Sequence, residues 1–232
     1  MGNQQLLDVN GLRLGYRTSG EPDAPAMVLL HGGGGDGSTW DAMLTEFADR
    51  WRVHALDLRG HGRSDRPGHY SVELMRDDLV GFLDGLGLDR VTLIGHSLGG
   101  VVAYLFAAAY PDRVQALVLE ETPPPVPLGL NVPQRPDGPL PYDWAVRPAV
   151  IRQLNAADPS WREELPRITA PTLVIAGGSA SHLPQDQIAD MAARLPAGRL
   201  VTIPAGHQVH ANRPAEFVAK VRAFLGTDNR IN

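Results

Sequence analysis

The chain of 232 residues contains no cysteine. That absence excludes disulfides, thiolate metal sites and a cysteine nucleophile, and it fits a reducing compartment. Long apolar runs are missing as well. The longest have the length of a core strand, far short of a membrane span. The first residues, MGNQQLLDVNG, lack the charged start and apolar stretch of a secretory signal. Leu6 stands where a myristoylation pattern needs a hydroxyl. A cytoplasmic location is therefore expected. Positive charge is not in excess either. The net charge is -5, which offers no basic face for nucleic acid and favours solubility without selecting a substrate. The expected partner is a small-molecule substrate, with neither nucleic acid nor membrane, and a homodimer is left open.

What is present is an ordinary globular composition, 43% hydrophobic and 20% charged. The length suits one domain over residues 1–232, with enough chain to bury a sizeable core. No repeat or low-complexity tract interrupts it. Short apolar runs alternate with amphipathic segments, the pattern of a parallel sheet covered by helices on both faces. The runs are Met27–Leu30, Val53–Leu56, Val91–Ile94, Ala116–Leu119, Leu173–Ala176 and Leu200–Ile203. Several are almost wholly apolar, as strands buried on both faces should be. Asn10–Gly11 separates Leu6–Val9 from Leu12–Tyr16 and predicts a hairpin, hence an antiparallel edge.

Helices are expected between the strands. Thr39–Arg50 follows Ser38 as cap, and Ser71–Leu86 has Ser71 as cap with Leu74, Leu79, Phe82 and Leu83 on one face. Leu98–Tyr110 stops before Pro111, and Gln185–Leu195 follows late in the chain. Pro214–Leu225 carries Phe217, Val218, Val221, Phe224 and Leu225 along one stripe. Residues 122–169 break the alternation. Their first part is proline-rich and excludes regular helix or a central strand. Their second part reads as helix with a break near Pro159. The segment is expected to be a lid inserted between strands.

The sharpest local signal is Gly95-His96-Ser97-Leu98-Gly99-Gly100, a G-x-S-x-G pattern between a strand and a helix. A serine that attacks a carbonyl must project clear of the sheet. A tight turn achieves this, and flanking glycines relieve the crowding. The helix behind Ser97 directs its positive end at the reaction centre, and the Leu98 amide can serve as an oxyanion donor.

Here the sequence resembles the α/β-hydrolase superfamily. Three further stretches carry the likeness in family order. His31-Gly32-Gly33-Gly34-Gly35 resembles the oxyanion loop, and Asp57-Leu58-Arg59-Gly60-His61-Gly62-Arg63-Ser64-Asp65 resembles the D-x-R-G-x-G-x-S loop. Gly206-His207-Gln208-Val209-His210 with Arg213-Pro214 resembles the terminal histidine loop. Together with Ser97 they cover nearly the whole chain, and the likeness is to small bacterial serine hydrolases and esterases with HG-type oxyanion loops. It implies an α/β-hydrolase fold: an eight-stranded, mostly parallel sheet, helices on both faces, and a lid after the sixth strand.

The resemblance makes Gly33 the second oxyanion donor, with Gly34 as fallback. His207, on a loop after the last strand, is expected to be the base that takes the Ser97 proton. His210 is expected to pack or support. His31, His61 and His96 neighbour the motifs without a demanded role, and Asp57 and Asp65 are expected to hold their loop. The histidine spacing fits no zinc pattern, so no metal and no cofactor are expected.

The carboxylate departs from the family pattern. The resemblance implies an Asp just after the seventh strand, yet near Ala180 there is none. Glu120 and Glu121 follow the sixth strand instead. Haloalkane dehalogenases resemble this chain and keep their acid there, which favours Glu120, then Glu121, with Asp186 trailing. Successive strand side chains point to opposite faces, so only one of the two glutamates can face His207.

The lid offers Leu128, Leu130, Val132, Tyr142, Trp144 and Val146, an apolar set suited to apolar acyl or alcohol groups. Half of these are as easily read as packing the lid on the body. The expected function is hydrolysis of a carboxylic ester, lactone or thioester through an acyl-enzyme on Ser97. The competing readings are acyl transfer, perhydrolysis or C–C cleavage at the same site, and a non-catalytic ligand-binding member of the fold. Epoxide hydrolases and dehalogenases resemble the chain but use Asp where it has Ser97.

Overall fold

The computed structural model describes residues 3–227. Eight strands form one sheet: β1 Asn3–Val9, β2 Leu12–Ser19, β3 Ala26–Leu30, β4 Arg52–Leu56, β5 Val91–His96, β6 Val114–Glu120, β7 Thr172–Ala176 and β8 Gly198–Thr202. Their spatial order is β1-β2-β4-β3-β5-β6-β7-β8. The β1–β2 and β2–β4 pairs are antiparallel, and every other pair is parallel. The predicted hairpin is present. Asn10 and Gly11 both take positive φ, 51° and 82°, which a two-residue hairpin turn requires and which Asn and Gly tolerate best.

The helices are α1 Asp41–Phe47, α2 Val72–Gly85, α3 Leu98–Ala109, α4 Val146–Asn155, α5 Pro159–Glu164, α6 Gln185–Arg194, α7 Val209–Asn212 and α8 Pro214–Thr227. Two apolar layers sandwich the sheet. Helices α2, α3 and α6 cover one face, burying Phe82, Tyr104, Phe106 and Ile188 against Leu30, Leu93 and Leu119. Helices α1 and α8 cover the other, burying Trp40, Phe47, Phe217 and Val221 against Met27, Leu29, Ile94 and Val118. Helix α3 is apolar almost all round and correspondingly buried, as a helix wedged between sheet and lid must be.

Several details differ from the sequence reading. Ser38 does not cap a helix. Asp36 does the capping, its side chain accepting from Ser38 N at 2.8 Å, and it starts a short 3-10 turn over Gly37–Trp40. The α-helix begins only at Asp41 and ends at Phe47, short of Arg50. Ser71 does cap α2, accepting from Leu74 N at 3.1 Å, but Leu74 itself is only half-buried, and Val72 and Met75 take the inner face with Leu79, Phe82 and Leu83. Strand β8 is an edge strand rather than a buried one, so Leu200 is 45% exposed. Apolar composition alone does not distinguish an edge strand from a central one.

Between β6 and β7 the chain leaves the sheet. Residues up to 145 are irregular, then α4 and α5 follow, with Pro159 at the first turn of α5 and Asp158 as its cap. A proline lacks the N–H that a first turn leaves unused, so the expected break near Pro159 is the start of a second helix.

Candidate active site

The C-terminal ends of β5 and β6 and the loop after β8 meet at one edge of the sheet. This is where open α/β sheets place their ligands. Ser97 lies at the turn from β5 into α3 with φ 51° and ψ -115°, a strained conformation for a residue with a side chain. The turn is so tight that its glycines are obligatory. A Cβ on Gly95 would sit 2.5 Å from Gly99 O, and one on Gly99 would sit 2.3 Å from Leu30 O. Ser97 N is tied to Glu120 O at 3.0 Å, and Gly99 N to His31 O at 3.1 Å. The strain is thus held by backbone bonds on both sides.

His207 stands over the serine. Its Nε2 is 3.1 Å from Ser97 Oγ, and its Nδ1 is 3.2 Å from Glu121 Oε2. Its backbone is fixed from below, since His96 Nε2 donates to His207 O at 2.7 Å. Burial pushes His96 down to about 4, so this donor is a neutral imidazole at neutral pH.

The carboxylate beside His207 is Glu121, not Glu120. Glu120 is fully buried and committed to His210. Its Oε1 accepts from His210 N at 2.8 Å, and its Oε2 lies 2.7 Å from His210 Nδ1. The cause is strand phase. Glu120 still belongs to β6 and shares a face with Ala116 and Val118, the face covered by α1 and α8. His210 is stacked there on Trp40, ring centroids 4.1 Å apart. Glu121 lies one residue beyond the strand and takes positive φ, 44°. Alternation and this twist turn it toward β7 and the histidine loop. The alternation rule was right that only one glutamate could face His207; the phase was not legible. Asp186 lies exposed in the first turn of α6.

Glu121 takes donors from the segment after β7, where the resemblance implied an Asp. Gly177 N, Ser181 Oγ and Gln185 Nε2 all donate to its carboxylate. Burial alone would push this carboxyl up. His207, Ser181, Gly177 and Gln185 outweigh burial and hold it below the ordinary carboxylate range. Glu120 behaves likewise: burial is outweighed by the neighbouring imidazoles of His96 and His210 and by the His210 hydrogen bonds, and its carboxyl is held below the ordinary range.

The glycine loop after β3 is braced by two histidines. His31 Nδ1 donates to Gly32 O at 2.9 Å, and its Nε2 accepts from Leu58 N at 3.0 Å. His61 Nδ1 donates to Arg59 O at 3.1 Å, and its Nε2 accepts from Gly34 N at 3.3 Å. Burial pushes His61 down to about 3, consistent with an accepting nitrogen. Gly34, the fallback oxyanion donor, therefore has its amide occupied. Gly33 and Leu98 both line the cavity beside Ser97, and as the first residue of α3, Leu98 has no acceptor within the helix for its amide. Asp57 accepts from Gly37 N at 2.7 Å and from Arg63 N at 2.9 Å, and Asp65 accepts from Arg13 N at 2.9 Å. Both hold loops.

The cavity over Ser97 has a volume of about 570 Å³. Its roof is the lid, which contributes Leu130, Tyr142, Val146, Val150, Ile151 and Leu154. Of the six lid residues expected to shape it, Leu130, Tyr142 and Val146 do. Trp144 lines an adjoining groove, Leu128 packs on the core, and Val132 is 48% exposed. The sequence reading missed four residues here: Ser181, Gln185, Arg147 and His182, whose ring lies 4.3 Å from that of His207. None lies in a motif, although Ser181 and His182 follow Ala180, Gln185 precedes Asp186, and Arg147 follows Val146.

A family model described as the alpha/beta hydrolase fold matches residues 25–149. The chain belongs to the α/β-hydrolase fold family. Among curated relatives of this α/β hydrolase, epoxide hydrolase 4 of Mus musculus is 41% identical over 119 residues, covering 50% of this chain and 33% of that one. The chain spans about a third of the length of the first curated relatives it matches. The sn-1-specific diacylglycerol lipase ABHD11 of Mus musculus is 29% identical, covering 96% of this chain and 88% of that one. Among solved structures, the enol-lactonase from Burkholderia xenovorans LB400 superposes with a TM-score of 0.82 at 26% identity, covering 96% of this chain and 100% of that one. Among the described residues, no helix is long and apolar enough to cross a membrane.

Proposed function

We propose that this α/β hydrolase is a serine esterase or lactonase that cleaves a small, largely apolar carboxylic ester or lactone through an acyl-enzyme on Ser97. One observation carries the reading: the unbroken run from Glu121 Oε2 through His207 to Ser97 Oγ, with links of 3.2 and 3.1 Å, at the floor of an apolar cavity. In this reading Glu121 holds His207 with its proton on Nδ1, leaving Nε2 free to take the Ser97 proton. The oxygen of Ser97 attacks the carbonyl, and the amides of Leu98 and Gly33 receive the developing oxyanion. His207 returns the proton to the leaving alkoxide. Water then enters, His207 takes its proton as the water oxygen attacks the acyl carbonyl, and the acyl carbon's bond to Ser97 Oγ breaks; Oγ takes the proton back from His207 and the acid departs. Nothing in this sequence of steps calls for a cofactor.

The lipase and enol-lactonase named above support acyl chemistry by likeness. The epoxide hydrolase likeness supports it less. Opening an epoxide to an enzyme ester needs a carboxylate nucleophile, and position 97 offers a hydroxyl.

The test is labelling by a fluorophosphonate probe of the intact protein and of Ser97→Ala and Glu121→Gln variants, beside turnover of a chromogenic acyl ester series. Labelling and turnover that vanish with Ser97→Ala and collapse with Glu121→Gln are expected. A folded intact protein that neither labels nor turns over any ester would replace the enzyme by a ligand-binding member of the fold.

A further inference from the structure

Both hollows beside Ser97 are lined without a single Asp, Glu or Lys. One formally charged side chain enters them, and it enters both: Arg147, in the first turn of α4. It is half-buried. Its Nη1 reaches Gly33 O at 3.5 Å, the outer limit of a hydrogen bond. Among the described residues, the ion pairs formed by other arginines have no counterpart at Arg147.

The position is close to the proposed chemistry. The point where a Gly33 side chain would begin is 3.6 Å from Arg147 Nη1 and 3.7 Å from Leu98 Cδ2. The guanidinium therefore stands about one residue's width from the start of α3, across the oxyanion loop. A guanidinium has five N–H donors in a planar fork that fits a carboxylate. One long bond to a carbonyl uses little of that fork, and Arg147 lines both hollows. A cavity roofed by Leu130, Val146, Val150, Ile151 and Leu154, with Arg147 beside that roof, suits a ligand that is apolar along the lid and anionic at one end, because such sites fix orientation with a few placed polar groups.

We propose that Arg147 anchors a carboxylate of the substrate, set a few bonds from the scissile carbonyl. This rests on the serine-hydrolase reading and narrows it to half-esters of dicarboxylic acids and to lactones that bear a carboxylate. The anion docks on the guanidinium at the junction of the two hollows, and the ester carbonyl lies between Ser97 and the Gly33 loop. The lid thus sets specificity by charge as well as by shape.

The experiment compares monomethyl succinate, monomethyl glutarate and monomethyl adipate, each with the isosteric neutral ω-amide methyl ester, followed by methanol release. For at least one chain length the intact protein should prefer the acid by about tenfold or more in kcat/KM, as charge-assisted bonds imply. Arg147→Gln should erase that preference, with KM for the acid ester rising more than kcat falls, and Arg147→Lys should restore part of it. The ratio between the two esters within one variant is insensitive to folded fraction. Equal use of acid and amide by the intact protein, or a preference that survives Arg147→Gln, overturns the inference. If neither ester is hydrolysed, the hydrolase reading has failed on these substrates. Calorimetric titration with free glutarate then decides the anchor alone: binding lost in Arg147→Gln upholds it, and no Arg147-dependent binding overturns it.

Discussion

Glu120 and Glu121 are adjacent, both fully buried, and both paired with a histidine, yet their replacement by Gln should have opposite consequences. The Glu121 carboxylate receives Gly177 N and Gln185 Nε2 on Oε1, and Ser181 Oγ and His207 Nδ1 on Oε2. A Gln at this position must keep its oxygen on Gly177 N, which can only donate. Its NH2 then faces Ser181, whose hydroxyl can turn and accept, and His207 Nδ1, which can accept only by giving up its proton. The imidazole proton moves to Nε2, opposite Ser97 Oγ, and the serine loses its base. Loss of the correct tautomer in such a site costs about 10³- to 10⁴-fold in kcat.

At Glu120 the same change disturbs buried hydrogen bonds to His210 N and Nδ1, a loss on the order of 1–3 kcal/mol in stability. His210 does not touch Ser97, so kcat per folded molecule should stay within about tenfold of the intact protein. The assay is kcat on a chromogenic acyl ester, corrected for folded fraction, beside urea denaturation of both variants. Glu121→Gln should be a near-dead, well-folded protein, and Glu120→Gln a less stable, active one. If Glu120→Gln loses as much kcat as Glu121→Gln at equal folded fraction, the assignment of the two glutamates is refuted.

Three further outcomes follow from packing and charge. His54, His61 and His96 are held by burial at about 4, about 3 and about 4, against an ordinary 6.5. The unfolded chain binds their protons first as pH falls, so each should cost about 2 kcal/mol of stability by pH 5 relative to pH 7.5; urea midpoints unchanged over that interval would sink this. Arg59 and Asp78 form a buried bidentate pair at 2.5 and 2.6 Å. Arg59→Met alone should cost about 3–5 kcal/mol by stranding Asp78, whose carboxyl burial already pushes up, and adding Asp78→Leu should recover much of it; a double variant no better than the single one contradicts the argument. Gly99→Ala places a Cβ 2.3 Å from Leu30 O, backbone that cannot rotate away, so a loss of at least about 3 kcal/mol and of fluorophosphonate labelling is expected; a stable, labelled variant would show that the turn can relax.

The fold was legible because parallel strands buried on both faces read as apolar runs, and five of the six predicted runs lie within central strands. Leu200 misled because β8 is an edge strand, and a short apolar run looks the same at the edge as at the centre. The meeting of Ser97 with His207 was legible because each sits in a glycine-marked loop whose backbone demands show in sequence. Which glutamate stands beside His207 was not. Two glutamates at a strand end differ only in phase, and phase depends on which face meets α1 and α8. The ladder settles it: β5 and β6 pair His96 with Glu120, so Glu121 stands level with Ser97. Arg147 left no trace at all, because an arginine in the first turn of a lid helix is ordinary in sequence and acquires meaning only from the cavity around it.

The two glutamate–histidine pairs also explain each other. The histidine loop and α7 bring His207 and His210 three residues apart, and the end of β6 meets them with Glu121 and Glu120. The inner pair is buried, stacked on Trp40 and bound to the backbone of α7. The outer pair opens on the cavity, with the His207 side chain 24% exposed. In its proposed role as proton shuttle, His207 needs a loop that does not yield, yet its own side chain has to stay free of packing. The His210–Glu120 pair meets the first need from beneath, and His96, gripping His207 O, completes the support. The segment after β7, where the resemblance implies an Asp, supplies Gly177, Ser181 and Gln185 as donors to the Glu121 carboxylate. In the proposed reading the carboxylate at the end of β6 and the donors after β7 therefore act together: one strand supplies the acid, and its neighbour supplies the bonds that aim it at His207.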